Sequence, residues 1–156
     1  MSTLLDYFTQ DQHARTLAWY ARGENVSVTD DMIHELCEIS MAAGKVNARL
    51  CLHQGAEDGF HQMLILEWRG KSFPAHRHPA KSEGYHLMRG AMYLHLYDDN
   101  GMEYPEGIRI SMESPIARVG PNTFHGLEVI TPYAIYLESK PGPFIRDTDK
   151  IMAPWL

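Results

Sequence analysis

Apolar positions change their spacing near residue 45. Over residues 30–43 they recur at helical intervals, with Met32, Ile33, Leu36, Ile39 and Ala43 forming one stripe. Thr29 or Asp30 can cap this helix, Asp30 and Asp31 suit its positive end, and Gly44 can stop it. A shorter helix is expected from about Asp11 to Arg22, where Leu17, Trp19 and Tyr20 lie before Gly23. From Val46 onward the pattern is that of short strands, at 46–53, 62–69, 72–78, 83–89, 91–97, 107–112, 115–119, 124–130 and 133–139. Asp98-Asp-Asn-Gly101 marks a turn between two of them. Many short strands divided by Gly, Pro and Asn predict an all-β core, a sandwich or barrel. Residues 1–45 are thin for a separate domain. They are expected as a helical N-terminal extension packed on the barrel or on a neighbouring subunit, as in a homodimer. The barrel itself should span 46–140. Pro141, Pro143 and Pro154 make 141–156 an extended C-terminal tail, and Phe144, Ile151, Met152, Trp155 and Leu156 need cover.

The chemistry concentrates in residues 70–90. His76 and His78 alternate with Arg77 on a strand, so they face the same way and can share one metal ion. Pro79 suits a bend, after which Glu83 can return on the next strand as an oxygen ligand. His125 is a fourth candidate, far downstream in Val-Gly-Pro-Asn-Thr-Phe-His-Gly. Three imidazoles and a carboxylate suit one divalent transition metal, with Fe, Mn, Ni, Cu and Zn all admissible. Alone, a His-x-His on a strand is usually incidental; the conjunction of four residues is the signal.

These residues resemble the cupin superfamily. Residues 70–90 carry every fixed position of its first motif, Gly-x5-His-x-His-x4-Glu-x6-Gly. The second motif is reduced to Gly120-x-Asn122-x2-His125. Asn is the non-glycine residue best able to take φ > 0, so Asn122 can preserve the turn. The motif's closing Asn is replaced by Val129. Arg49-Leu-Cys-Leu-His53, Met63-Leu-Ile65 and His76-Arg-His-Pro-x-Lys-Ser-Glu83 are further similar to the WbuC family of cupin-fold metalloproteins, over roughly residues 46–140. That resemblance implies a jelly-roll barrel with a metal at His76, His78, Glu83 and His125. It also implies a setting among polysaccharide-biosynthesis genes, without a defined reaction.

Strand alternation puts Arg49, Cys51 and His53 on one face and Leu50 and Leu52 on the other. If the first set faces the interior, Arg49 can bind a carboxylate or phosphate, and His53 can act as acid or base near neutral pH. The alternative register exposes them and buries the leucines. Tyr85 shares the face of Glu83 and either offers its hydroxyl to a ligand or fills core with that hydroxyl satisfied. Cys51 reads as a small buried hydrophobe.

Composition narrows the partners. With 44% apolar and 22% charged residues, the chain has the balance of a globular domain. A net charge of −6 argues against nucleic acid or an anionic membrane as principal partner. The N-terminus lacks a basic-then-apolar secretion signal, and two cysteines give no disulfide framework, so the cytoplasm is expected. The expected function is a metal-dependent enzyme acting on a small polar molecule, a sugar, sugar derivative or acid, by oxygenase, isomerase or lyase chemistry, with Arg49 anchoring the substrate and His53 or Tyr85 moving protons. A non-catalytic metal- or ligand-sensing module is the alternative.

Overall fold

A computed structural model describes residues 3–156. The chain opens with one helical turn, α1 (Leu4–Tyr7), and two short strands, β1 (Phe8–Gln10) and β2 (Leu17–Ala21). Helix α2 (Asp30–Ala42) precedes β3 (Ala48–Cys51), β4 (Phe60–Trp68), β5 (His76–Arg77) and β6 (Glu83–Arg89). Then come β7 (Met92–Tyr97), β8 (Ile108–Ile110), β9 (Ile116–Val119), β10 (Phe124–Val129), β11 (Tyr133–Pro141) and β12 (Ile151–Met152). They form a seven-stranded sheet in the order β1-β2-β3-β4-β11-β6-β9 and a five-stranded sheet in the order β12-β5-β10-β7-β8. The inner faces enclose Cys51, Met63, Ile65, Tyr85, Leu87, Met92, Leu94 and Tyr136. This is a double-stranded β-helix, the jelly-roll barrel expected of the β-rich core.

The larger sheet is buried on both faces where α2 covers it. Leu50, Leu64, Leu66 and Trp68 turn outward and pack with Met32, Ile33 and Leu36 of the helix. Strand β4 is therefore buried along nearly its whole length instead of alternating. Thr29 caps α2 by accepting from the Met32 amide at 3.3 Å. Past its end, Gly44 takes φ +86°. Buried Ser40 accepts from Trp68 Nε1 at 2.8 Å and so fastens the helix to the sheet.

The N-terminal segment corrects one expectation. Residues 17–21 form a strand, not the end of a helix. Leu17, Trp19 and Ala21 face α2, while Tyr20 packs toward the barrel, so the apolar pattern has period two. β2 pairs antiparallel with β1 and parallel with β3. Parallel neighbours need a long crossover, and α2 supplies it. Much of the extension is therefore sheet, with one well-formed helix.

Turn residues set the hairpins that carry the site. Gly70 and Gly90 take φ +78° and +87°, and Asn122 takes φ 59°. At Gly90 a Cβ would stand 2.5 Å from the backbone oxygen of Tyr133. Gly90→Ala is expected to destabilise the protein by more than about 1 kcal/mol, as measured by denaturant unfolding.

Candidate metal centre

Two sheets bring four side chains together inside the barrel. In the smaller sheet, His76 of β5 sits directly opposite His125 of β10. Their ring centroids are 4.9 Å apart, and that of His78 lies 5.1 Å from His76. Glu83, the first residue of β6, reaches in from the facing sheet. Its Oε1 is 2.9 Å from His78 Nε2 and its Oε2 is 2.9 Å from His125 Nε2. One ligand atom each from His76, Glu83 and His125 lies within 4.8 Å of the others. The Asn122 turn also serves this centre: its amide donates to the carbonyl of His78 at 2.7 Å. His78, Glu83 and His125 are buried, and His76 is half-buried.

The hydrogen bonds of the rings define their chemistry. Nδ1 of His76 meets the Pro74 carbonyl at 3.0 Å, that of His78 the Asp149 carbonyl at 2.7 Å, and that of His125 the Thr123 carbonyl at 2.9 Å. A carbonyl only accepts, so each Nδ1 carries the proton and each neutral ring presents an Nε2 lone pair. For His78 and His125 that lone pair confronts a carboxylate oxygen, and two acceptors so placed need a cation between them. At His125 a second proton can serve. At His78, Nε2 makes no hydrogen bond of acceptable geometry among the described residues, although the carboxylate is close. Histidines tied through Nδ1 to backbone carbonyls are the arrangement that holds metal-ligating imidazoles in place. His76, Glu83 and His125 are thus placed so that they could hold a metal ion, with His78 beside them against Glu83.

Electrostatics agree with that reading for His76, and for Glu83 and His125 they describe the metal-free site, where an Nε2 proton takes the place of a cation against the carboxylate. Burial drives the His76 ring down to about 4, keeping it neutral at physiological pH. Burial works against charge on Glu83, but His125, His78 and the Lys140 ammonium outweigh it and hold the carboxyl far below its usual range. Burial also lowers His125, yet the Glu83 contact prevails and raises it. Tyr85 donates its hydroxyl to Glu83 Oε2 at 2.6 Å, and burial together with that carboxylate raises its pKa well above the phenol value. The Tyr85 proton is thus engaged in fixing Glu83.

Lys140 is a residue that sequence reasoning missed. Its Nζ lies 3.3 Å from Glu83 Oε1 and 3.4 Å from Glu138 Oε1. The only sequence signal was its place on the Tyr136–Glu138–Lys140 face of β11. Arg49 lies on β3 with Cys51, whose thiol is raised to about 11 by burial. Its Nε is buried without a hydrogen-bond partner among the described residues. Leu50, by contrast, packs under α2. His53 follows β3, stacks on His61 with centroids 4.0 Å apart, and meets the edge of Tyr20. Burial, reinforced by His61, lowers His53 to about 4. A cavity of about 340 Å³ opens beside His53, lined also by Glu24, Asn25, Leu52, Phe60 and Gln62. His61 in turn is the cross-strand partner of Lys140. Among the described residues neither Arg49 nor His53 hydrogen-bonds to His76, His78, Glu83 or His125; Lys140 and His61 lie between His53 and Glu83 across the sheet.

Solved structures share this architecture at low identity. The capsular polysaccharide assembling protein CapF from Staphylococcus aureus is 13% identical over 69% of this chain and 31% of its own, with a TM-score of 0.54. A conserved protein with a double-stranded β-helix domain from Klebsiella pneumoniae is 14% identical over 69% of this chain and 79% of its own, with a TM-score of 0.53. Protein SO0799 from Shewanella oneidensis is 10% identical over 69% of this chain and 72% of its own, with a TM-score of 0.52. The chain spans about a third of CapF. These likenesses establish the cupin fold. The chain has no match among curated proteins. Among the described residues no helix is long and apolar enough to cross a membrane. Residues 28–106, which hold α2, the first five barrel strands and three of the four candidate ligands, match the family described as "Domain of unknown function (DUF6016)", and the chain belongs to that family.

Proposed function

We propose that this chain is a metal-binding cupin of WbuC type, and that it acts as a metal-dependent enzyme on a small polar molecule, a sugar derivative or organic acid. The observation that carries the reading is that His76, His78 and His125, the last two buried, each meet a backbone carbonyl through Nδ1 and gather around Glu83. His76, His78, Glu83 and His125 would hold one ion of Fe, Mn, Ni, Cu or Zn. Such an ion, when bound, supplies Lewis acidity toward a substrate oxygen. Tyr85 and Lys140 orient the Glu83 carboxylate and offset its charge. Arg49 is the proposed anchor for an anionic substrate group, since its buried Nε still has a donor to offer. His53, neutral at physiological pH and joined to Glu83 through His61 and Lys140, is the proposed proton acceptor. Oxygenase, isomerase and lyase chemistry are all compatible with this ligand set, because fold does not fix reaction. A carbohydrate-derived substrate accords with the description of CapF as a capsular polysaccharide assembling protein. We place the protein in the cytoplasm, as a homodimer.

A second reading, a metal-sensing module, is favoured by one observation: His78, Glu83 and His125 are each only 2% exposed. Azide titration of the Co(II)-loaded protein separates the two. The enzyme reading expects azide to alter the Co(II) spectrum, because four protein ligands leave about two positions free on an octahedral ion. An unchanged four-coordinate spectrum would favour the sensor.

A further inference from the structure

The segment after β11 carries no motif residue and lies beyond the family match, yet it touches two of the three ligand-bearing strands, β5 and β10. The Asp149 carbonyl is the acceptor for His78 Nδ1 at 2.7 Å. Asp149 is 5% exposed, and its Oδ1 is ion-paired with the Lys81 ammonium. Its Oδ2 lies 3.3 Å from His78 Nδ1. Lys81 also donates to the Pro143 carbonyl at 2.5 Å, so one side chain grips the tail at two points. Lys81 itself stands between His78 and Glu83 in sequence, on the connection that joins two ligands.

The tail is fastened to the strands as well. Met152 pairs with His76 and Ile151 with Arg77, and the Ala153 amide donates to the Ala75 carbonyl at 2.9 Å. Ala153 packs with Ala75 and Phe124 in a small cluster of its own. The Trp155 ring lies 4.8 Å from that of Phe124, the neighbour of His125. An imidazole's tautomer and orientation follow from what its other nitrogen bonds, so the position of the Asp149 carbonyl decides where the His78 lone pair points.

We propose that residues 143–155 form a clamp that is a working part of the metal centre, with Asp149 the positioning residue for His78 and Lys81 its latch. The inference rests on the metal-centre reading above. Docking of the clamp pre-orients His78, so metal binding and clamp docking are linked, each strengthening the other by the same factor.

The test uses the full chain as wild type, Lys81→Met, Asp149→Asn and Lys81→Arg. Co(II) affinity is measured by competition with a chromophoric chelator, and tail docking by the rate of tryptic cleavage at Arg146 and Lys150 with and without Co(II). The expected result is one Co(II) per wild-type chain and slower tail cleavage when loaded. Lys81→Met and Asp149→Asn should bind Co(II) about 10–100-fold more weakly, with an altered visible spectrum and less protection of the tail. Lys81→Arg should stay near wild type, because the ion pair survives. A purely structural tail would lower the unfolding midpoint of these variants while leaving Co(II) affinity and spectrum unchanged, and that result overturns the clamp. A wild-type chain that binds no Co(II) overturns the metal-centre reading, and the clamp with it.

Discussion

His78→Ala protein is expected to fold and to bind divalent metal at least about 100-fold more weakly than wild type. Replacing a partner of a metal ligand typically costs 10–100-fold, and removing the ligand itself should exceed that. His78 is the ring whose Nε2 has no hydrogen bond of its own while Glu83 Oε1 stands 2.9 Å away, so its loss removes a metal-facing lone pair together with the Nδ1 contact to the Asp149 carbonyl. His76→Ala and His125→Ala should behave alike. The barrel core of Leu87, Met92, Leu94 and Ile110 remains to hold the fold. Chelator competition reads the affinity, and circular dichroism reads the fold. Undiminished affinity in the three variants would leave the histidine cluster without a role in metal binding.

Acid should destabilise the metal-free protein through the His53–His61 stack. Burial lowers both rings, His53 to about 4, whereas an unfolded histidine titrates near 6.5. A folded-state pKa below the unfolded one means that the unfolded chain takes up protons first. The stability is therefore complete above about pH 6.5 and is lost as pH falls toward 4. His53 alone is expected to contribute about 2 kcal/mol to that loss. His76 has the same sign; His125 and His95, whose pKa values are raised, have the opposite one. The double variant His53→Gln/His61→Gln isolates the stack. Its unfolding free energy, measured by urea titration in chelator from pH 7 to 4.5, should fall less steeply than that of wild type. Equal slopes would show that the stacked pair does not titrate on folding.

Much of the barrel was legible because its punctuation is local. Strand β6 occupies residues 83–89 as expected, and Gly70, Gly90 and Asn122 take the positive φ that their places in the two motifs require. Capping chemistry located α2 at Thr29 and Gly44 for the same reason. The segment Leu17–Ala21 was misread because a short run containing Trp19 and Tyr20 satisfies helical and strand periods alike. Only its pairing with β1 and β3 decides between them. The wider site was hidden for a different reason. His76, His78 and Glu83 are close in sequence, but Lys140 reaches Glu83 through the register of β11 on β6, and Asp149 reaches His78 through a tail docked 71 residues away. Single-strand alternation can say which residues share a face. It cannot say which face of another strand they meet. Tyr85 shows both limits: its face was predictable, whereas the donation of its hydroxyl to Glu83 required coordinates.

The central claim, that His76, His78 and His125 present neutral Nε2 lone pairs to one ion, is tested most directly by NMR of the histidine ring nitrogens. The measurement is made on 15N-labelled, metal-free protein at neutral pH, titrated with Zn(II). The account predicts Nδ1–H tautomers for His76 and His78, with Nε2 of all three rings shifting together and saturating at one equivalent. His53 and His61 should stay in place. Zn(II) that leaves these three Nε2 signals unmoved at one equivalent, or shifts His53 and His61 instead, would contradict the metal centre described here.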